Sequence, residues 1–257
     1  MRTHKLRAGL LFWLFLIISG VSLVSIASRS SRGYQIKEEK DKGTENYQGP
    51  IVDDETSPKI SSLTDPKRQA VEKARFNRYN HRAPEPLGDF ASVVFEISTH
   101  WNIDLPPLPI SESDLIVLGK VVAAQAHLSS DRAGVYSEFT INVEKTFKNT
   151  DLPIGDSLTL EREGGVVRFS AGRLLPYRIN GQRLPRSLRE YTFFLKRNQQ
   201  GEDYHIVTAY EILRGRIIPL DESEQFQVFQ GIEAEQFFKT LQDAVSDPSR
   251  RKGGTNK

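Results

Sequence analysis

The sequence predicts a mainly β domain, a small barrel or sandwich, finished by one C-terminal α-helix. Three observations predict it. About six to eight short apolar or alternating segments, each bounded by turn residues, follow one another between residues 113 and 219. Beyond them, residues 233–245 carry apolar side chains at helical spacing. The 257 residues include no cysteine, so a folded domain of this chain is held by its core and not by disulfides.

The chain begins with Arg2, His4, Lys5 and Arg7, followed at residues 8–27 by an uncharged run, AGLLFWLFLIISGVSLVSIA, that includes Ala8, Leu16 and Ala27. A helix of this length reaches about 30 Å, the thickness of a bilayer's hydrocarbon core. The basic flank keeps the N-terminus in the cytoplasm and sends the rest of the chain outside. Arg29 and Arg32 weaken that bias without reversing it. Ser25-Ile26-Ala27 offers small residues to a signal peptidase, so cleavage and secretion is the alternative. The run is longer than a typical signal core, which favours an uncleaved anchor. Both readings place the domain outside the cytoplasm.

Residues 29–64 are polar, mixed in charge and without periodicity, and read as a disordered tether. Asp65-Pro66 supplies an N-cap and a first-turn proline for a helix at 66–79. Between 65 and 82, Lys67, Arg68, Lys73, Arg75, Arg78 and Arg82 outnumber Asp65 and Glu72. Such a helix suits an anionic lipid surface. The plainer reading is a solvated helix with a weak packing stripe of Ala70, Val71, Ala74 and Phe76. A lead-in rich in proline (Pro84, Pro86, Pro106, Pro107 and Pro109) completes residues 65–109, with an edge strand at 93–97 and Trp101 as an apolar anchor.

The strands follow. Residues 113–122 (SDLIVLGKVV) form a nearly continuous apolar run, as in a strand covered on both faces, and Gly119 marks a bulge or bend. Residues 135–143 alternate, with Val135, Phe139, Ile141 and Val143 on one face and Tyr136, Glu138, Thr140 and Asn142 on the other. Further strands are expected at 157–161, where Leu158 and Leu160 point inward, and, after the Gly164-Gly165 turn, at 166–169. Those at 191–197, 204–209 and 212–219 complete the set. In the last segment Ala234, Phe237, Phe238, Leu241 and Val245 fall on one helical face, and Asp247-Pro248 stops the helix. The organisation is then a membrane segment at 1–28, the tether at 29–64, the helix and lead-in at 65–109 and the barrel at 110–220. A helical segment packed on the barrel at 221–247 and a disordered tail at 248–257 follow.

The order SDLIVLGKV from Ser113, YSEFTINVEKTFK from Tyr136, GDSL from Gly155 and YTFFL from Tyr191 resembles the netrin-module or TIMP-like OB-fold family. It is also similar to exported bacterial proteins of the same strand pattern. The likeness covers about residues 111 to 210 and rests on strand patterns. It implies an OB-like barrel. The metalloproteinase inhibitors of that family chelate the protease zinc through an N-terminal cysteine, which this chain lacks, so that residue does not carry over.

Chemistry is sparse. Lys and Arg (35) nearly balance Asp and Glu (33), which argues against nucleic acid as a partner. His4, His81, His100, His127 and His205 show no metal-binding spacing, and no nucleophile elbow, phosphate loop or zincin motif occurs. No catalytic residue, metal ligand or cofactor is assigned. Glu161 and Glu163 share a strand face, an arrangement open to acid-base work but common on solvated strands. Tyr136, Phe139, Tyr191 and Phe193, the aromatics that an OB-type surface could stack on bases, are expected to divide between core and surface. The strongest local signal is Arg162, Arg168, Arg173, Arg178, Arg183, Arg186 and Arg189, with Glu163 the one acid among residues 162–189. Arginines on loops suit a carboxylate, a phosphate or an acidic protein face, while arginines pointing separately into water are the plainer alternative. The expectation is a non-enzymatic, membrane-tethered extracytoplasmic binding domain that engages an anionic or protein partner through these arginines. A protease-inhibitor-like module without the cysteine, and a hydrolase built on a carboxylate or histidine pocket, are the alternatives.

Overall fold

The computed structural model describes residues 33–37, 49–55, 65–80, 94–98, 105–150, 153–199 and 203–247. The apolar run at 8–27, Trp101 and the basic tail lie outside them. Among the described residues no helix is long and apolar enough to cross a membrane. The described residues are mainly β, with 45% in strands against 19% in helices, and the last described element is a helix.

Two sheets carry the fold. The larger holds β4 (Leu115–Leu128), β5 (Val135–Asn149), β6 (Ser157–Glu163), β9 (Glu190–Arg197), β10 (Tyr204–Leu213) and β11 (Arg216–Pro219) in the order β11-β10-β6-β5-β4-β9. It curls strongly. β10 also ladders with β9, from Tyr204↔Arg197 to Glu211↔Tyr191, yet meets β6 only at Tyr204↔Leu160 and His205↔Glu161, in parallel. No barrel is closed by a full ladder.

The smaller sheet holds β1 (Gly33–Lys37), β2 (Ile51–Asp53), β3 (Val94–Ser98), β7 (Gly165–Arg168) and β8 (Leu174–Ile179) in the order β1-β3-β8-β7-β2. β1 and β2 correct the reading of residues 29–64 as tether throughout: two short pieces of it pair with strands far along the chain. β8 was hidden in the sequence by Pro176, which argues against a strand. Leu175, Tyr177 and Ile179 nonetheless alternate as buried residues, and Tyr177 and Ile179 pack with Val52, Ala126, Leu128, Val135 and Val167.

The apolar run of β4 is covered on both faces, as its composition predicts. Leu115, Val117 and Val121 enter the interior of the curled sheet with Phe139, Ile141, Leu160 and Phe193. Ile116 points the other way and packs, with Phe194 and Tyr210, under helix α2 (Ala234–Ser246) through Phe237 and Leu241. Gly119 sits at a register shift, where a Cβ would lie 2.8 Å from the Asn142 carbonyl oxygen, so the close strand approach requires glycine. Tyr136, Phe139, Tyr191 and Phe193 are all fully buried, which corrects their expected division between core and surface. Phe139, Tyr191 and Phe193 fill the interior. Tyr136 points to the outer face and is buried there by a helix.

That helix is α1 (Pro66–Arg78), which begins at the expected proline. Phe76 and Tyr79 pack against Tyr136, and the β4–β5 turn holds the helix end. The Ser130 amide donates to the Phe76 carbonyl, and the Ser130 hydroxyl donates to Asn77 Oδ1 at 2.6 Å and to Asn80 Oδ1 at 3.0 Å.

Candidate functional site

The seven arginines of residues 162–189 do not gather on one face. Arg162 keeps step with Leu158 and Leu160, which face the interior, and is itself fully buried. Its Nη2 lies 2.6 Å from Asp221 Oδ2, and its Nη1 donates to the Arg183 carbonyl at 2.7 Å. This corrects the expectation that Arg162 meets a ligand in a surface loop. The other six stand at or near the surface, and three of them turn to acids contributed from elsewhere. Arg168 pairs with Asp53 at 3.6 Å, Arg183 with Glu222 at 2.7 Å and Arg189 with Glu211 at 3.7 Å. Arg173 lies over the Phe169 ring, with 5.0 Å to its centroid, Arg178 is exposed on β8, and Arg186 gives its backbone amide to the Tyr191 hydroxyl. The positive excess read along the sequence is largely cancelled in space.

A denser constellation forms where α1 crosses the outer face of β5 and β6. Residues opposite one another on paired strands share a face, so the register builds it directly. His127, Tyr136 and Glu163 form one row, while Gln125, Glu138, Glu161 and His205 form the next. Glu138 and Glu161 are directly opposite, which by itself is repulsive. Asp203, just before β10, adds a third carboxylate, and Glu161 and Asp203 are 0% and 2% exposed.

Two arginines on α1, one turn apart, answer these charges. Arg75 Nη1 donates to Glu138 Oε1 at 2.8 Å, and its Nε lies 3.5 Å from Asp203 Oδ2 and 3.9 Å from Glu161 Oε2. Arg78 pairs with Glu161 and lies 3.3 Å from Asp203 Oδ2. The Tyr79 hydroxyl donates to Glu161 Oε1 at 3.0 Å, and Asn198 Nδ2 donates to Glu161 at 2.8 Å and Asp203 at 3.0 Å. The Tyr79 ring stacks on Tyr136 with centroids 4.8 Å apart, and Tyr136 stacks on His127 at 5.2 Å. The result is a socket of carboxylates walled by aromatic rings, a surface made for guanidinium groups.

The electrostatics follow from this packing. Burial raises the pKa of the Tyr79 and Tyr136 hydroxyls; Arg78 opposes the rise at Tyr79, and Glu138 adds to it at Tyr136. For Glu138, burial would raise the carboxyl pKa, but His127 and Arg75 outweigh it and hold the group below its ordinary value. His205 is pushed down to about 4 by burial and then by Arg162 and Arg78. A carboxylate cluster of the kind a hydrolase requires is therefore here. Arg75 and Arg78 pair with it, and Glu138 at a lowered pKa is a poor proton donor near neutrality. Glu163, grouped with Glu161 in the sequence, instead accepts from the Tyr177 hydroxyl at 3.2 Å. Among the described residues no group of three or more His, Asp or Glu is placed to hold a metal ion.

Of the basic residues between 65 and 82, Arg75 and Arg78 thus face the protein and not an outside surface, while Lys73 is exposed. Nothing near them in the sequence announces their partners, since Glu138, Glu161 and Asp203 lie far along the chain. One signal was available for Arg162, its phase with Leu158 and Leu160. No family model and no curated protein matches this chain.

Proposed function

We propose that this chain is a non-enzymatic, membrane-tethered extracytoplasmic binding domain on an OB-like barrel, whose recognition face is the acidic, tyrosine-lined surface of β5, β6 and the start of β10. The observation that carries the reading is the convergence of Arg75 and Arg78 on Glu138, Glu161 and Asp203. A socket that fits a basic helix this closely is a recognition surface, with α1 as its occupant. The apolar run at 8–27 supports the tether. The curled strand order β4-β5-β6-β10-β9, with one parallel contact, supports an OB-like barrel, described as five-stranded and partly open. The recognition face moves here from residues 162–189 because Arg162 is interior and Arg168, Arg183 and Arg189 are paired.

The absence of cysteine gives a clean test. Asn77→Cys and Ser130→Cys introduce a thiol pair where the two side chains now touch. In membrane vesicles holding the full chain, oxidation should cross-link this pair at least about tenfold faster than in the same chain with Glu161→Gln and Asp203→Asn, because the neutral socket holds α1 less often. Equal rates would remove the socket as a recognition face. A thiol reagent that cannot cross the bilayer should label Ser130→Cys alone from the extracytoplasmic side, and labelling from the cytoplasmic side alone would overturn the tether's orientation.

A further inference from the structure

We infer that α1 is a displaceable occupant and that the socket receives a basic helix from another protein, with arginines three residues apart followed directly by an aromatic residue, the Arg-x-x-Arg-Tyr pattern that α1 displays from Arg75 to Tyr79. This rests on the recognition face proposed above. Three observations separate a removable occupant from a permanent piece of the fold.

First, α1 does not balance the charges by itself: three carboxylates, Glu138, Glu161 and Asp203, meet its two guanidinium groups, and the remaining contact comes from the socket's own His127, Nε2 3.4 Å from Glu138 Oε2. A ligand with one further donor would compensate them better than α1 does. Second, buried polar atoms on the socket side lack hydrogen-bond partners: the Tyr136 hydroxyl, Glu161 Oε2, which lies 3.9 Å from Arg75 Nε, and Asp203 Oδ1. Tyr136 and Glu161 are fully buried, and most buried side-chain polar groups find a hydrogen-bond partner. The socket therefore offers hydrogen bonding that α1 leaves unused. Third, the grip on α1 is short. It lies between Arg75 and Asn80, whereas Ala70 is exposed and Val71 and Ala74 are half-buried. A few residues with two charges and two rings form a motif that another helix can present.

Displacement is a competition between a helix in the same chain and one in solution. A segment joined to its site acts at millimolar effective concentration, so the resident helix should weaken a competitor by about 100-fold or more. Loss of Arg75 and Arg78 should remove that protection.

The probe is a fluorescent peptide with the sequence of residues 65–80, DPKRQAVEKARFNRYN, read by anisotropy against the full-length chain in detergent. The Arg75→Gln/Arg78→Gln chain should bind it at least about 100-fold more tightly than the unaltered chain does, and a peptide with both arginines replaced by glutamine should not bind. A folded double variant, with unchanged circular dichroism, that takes up no peptide overturns the inference. Should that variant fail to fold, the Asn77→Cys/Ser130→Cys chain decides, because it keeps both arginines. Its reduced form should take up the peptide and its oxidised form at least about tenfold less, and equal uptake overturns the inference. Cross-linking that depends on Glu161 and Asp203, without peptide uptake, would leave the recognition face standing and remove displacement alone. A concentration-dependent dimer of the reduced Asn77→Cys/Ser130→Cys chain, abolished by oxidising its thiol pair, would seat a second copy in the socket and overturn the assignment to another protein.

Discussion

Replacing Asp221 with alanine should destabilise the protein severely. The Arg162 guanidinium has no exposed surface, and Asp221, 1% exposed, is its counter-charge at 2.6 Å. Asp221 also accepts from the Thr208 hydroxyl at 2.8 Å and the Arg183 amide at 3.3 Å, so its removal orphans three donors at once. Breaking a buried pair from one side costs about 3–5 kcal/mol, because the surviving charge keeps its desolvation penalty without its partner. For a domain of this size that is a fall in Tm of roughly 6–20 °C. Urea unfolding of the purified chain should show a lower midpoint at an unchanged slope. The double change Arg162→Met/Asp221→Leu removes both charges together and should recover most of the loss. An Asp221→Ala chain within about 1 kcal/mol of the parent, or a double variant no better than the single one, would refute an interior role for this pair.

Other expectations follow from the same packing. Gly119→Val forces a side chain against the Asn142 backbone and should cost about 1–3 kcal/mol, read as a lower urea midpoint. Phe237→Ala empties the main contact of α2 on the sheet and should cost about 3–5 kcal/mol by the same assay. His205 holds a pKa near 4 in the fold, below its ordinary value, so the unfolded chain takes up a proton at a higher pH than the folded one. Its contribution is complete above pH ~6.5 and is lost as pH falls toward ~4, roughly 1–2 kcal/mol after allowance for partial exposure. His205→Gln should flatten the stability profile across that window, and an unaltered profile would show that His205 does not titrate differently on folding.

Much of the fold was legible because its signals are local. The continuous apolar run of β4, the alternation in β5 and the helical spacing of α2 each follow from which faces are covered, and burial follows the apolar face of each, with Tyr136 on the polar face of β5 the departure. Asp65-Pro66 marked the start of α1 for the same reason. What escaped was long-range. Tyr136 stands on the polar face of β5, and nothing near it in sequence announces that α1 will cover it. The arginine series reads as a patch only while Asp53, Glu211, Asp221 and Glu222 are out of sight. β8 was concealed by Pro176, and the partners of β1 and β2 lie far along the chain.

The most direct test of the recognition face is the coupling energy between Arg78 and Glu161, measured by urea unfolding of Arg78→Ala, Glu161→Ala and the double variant. Each single change should be costly, because it leaves the other partner's charge beside a buried site, and the double should cost less than the sum. A coupling of about 1–3 kcal/mol is the expected result for a socket that holds α1 by charge. Strictly additive losses would mean that the two side chains do not sense each other, and would contradict the account.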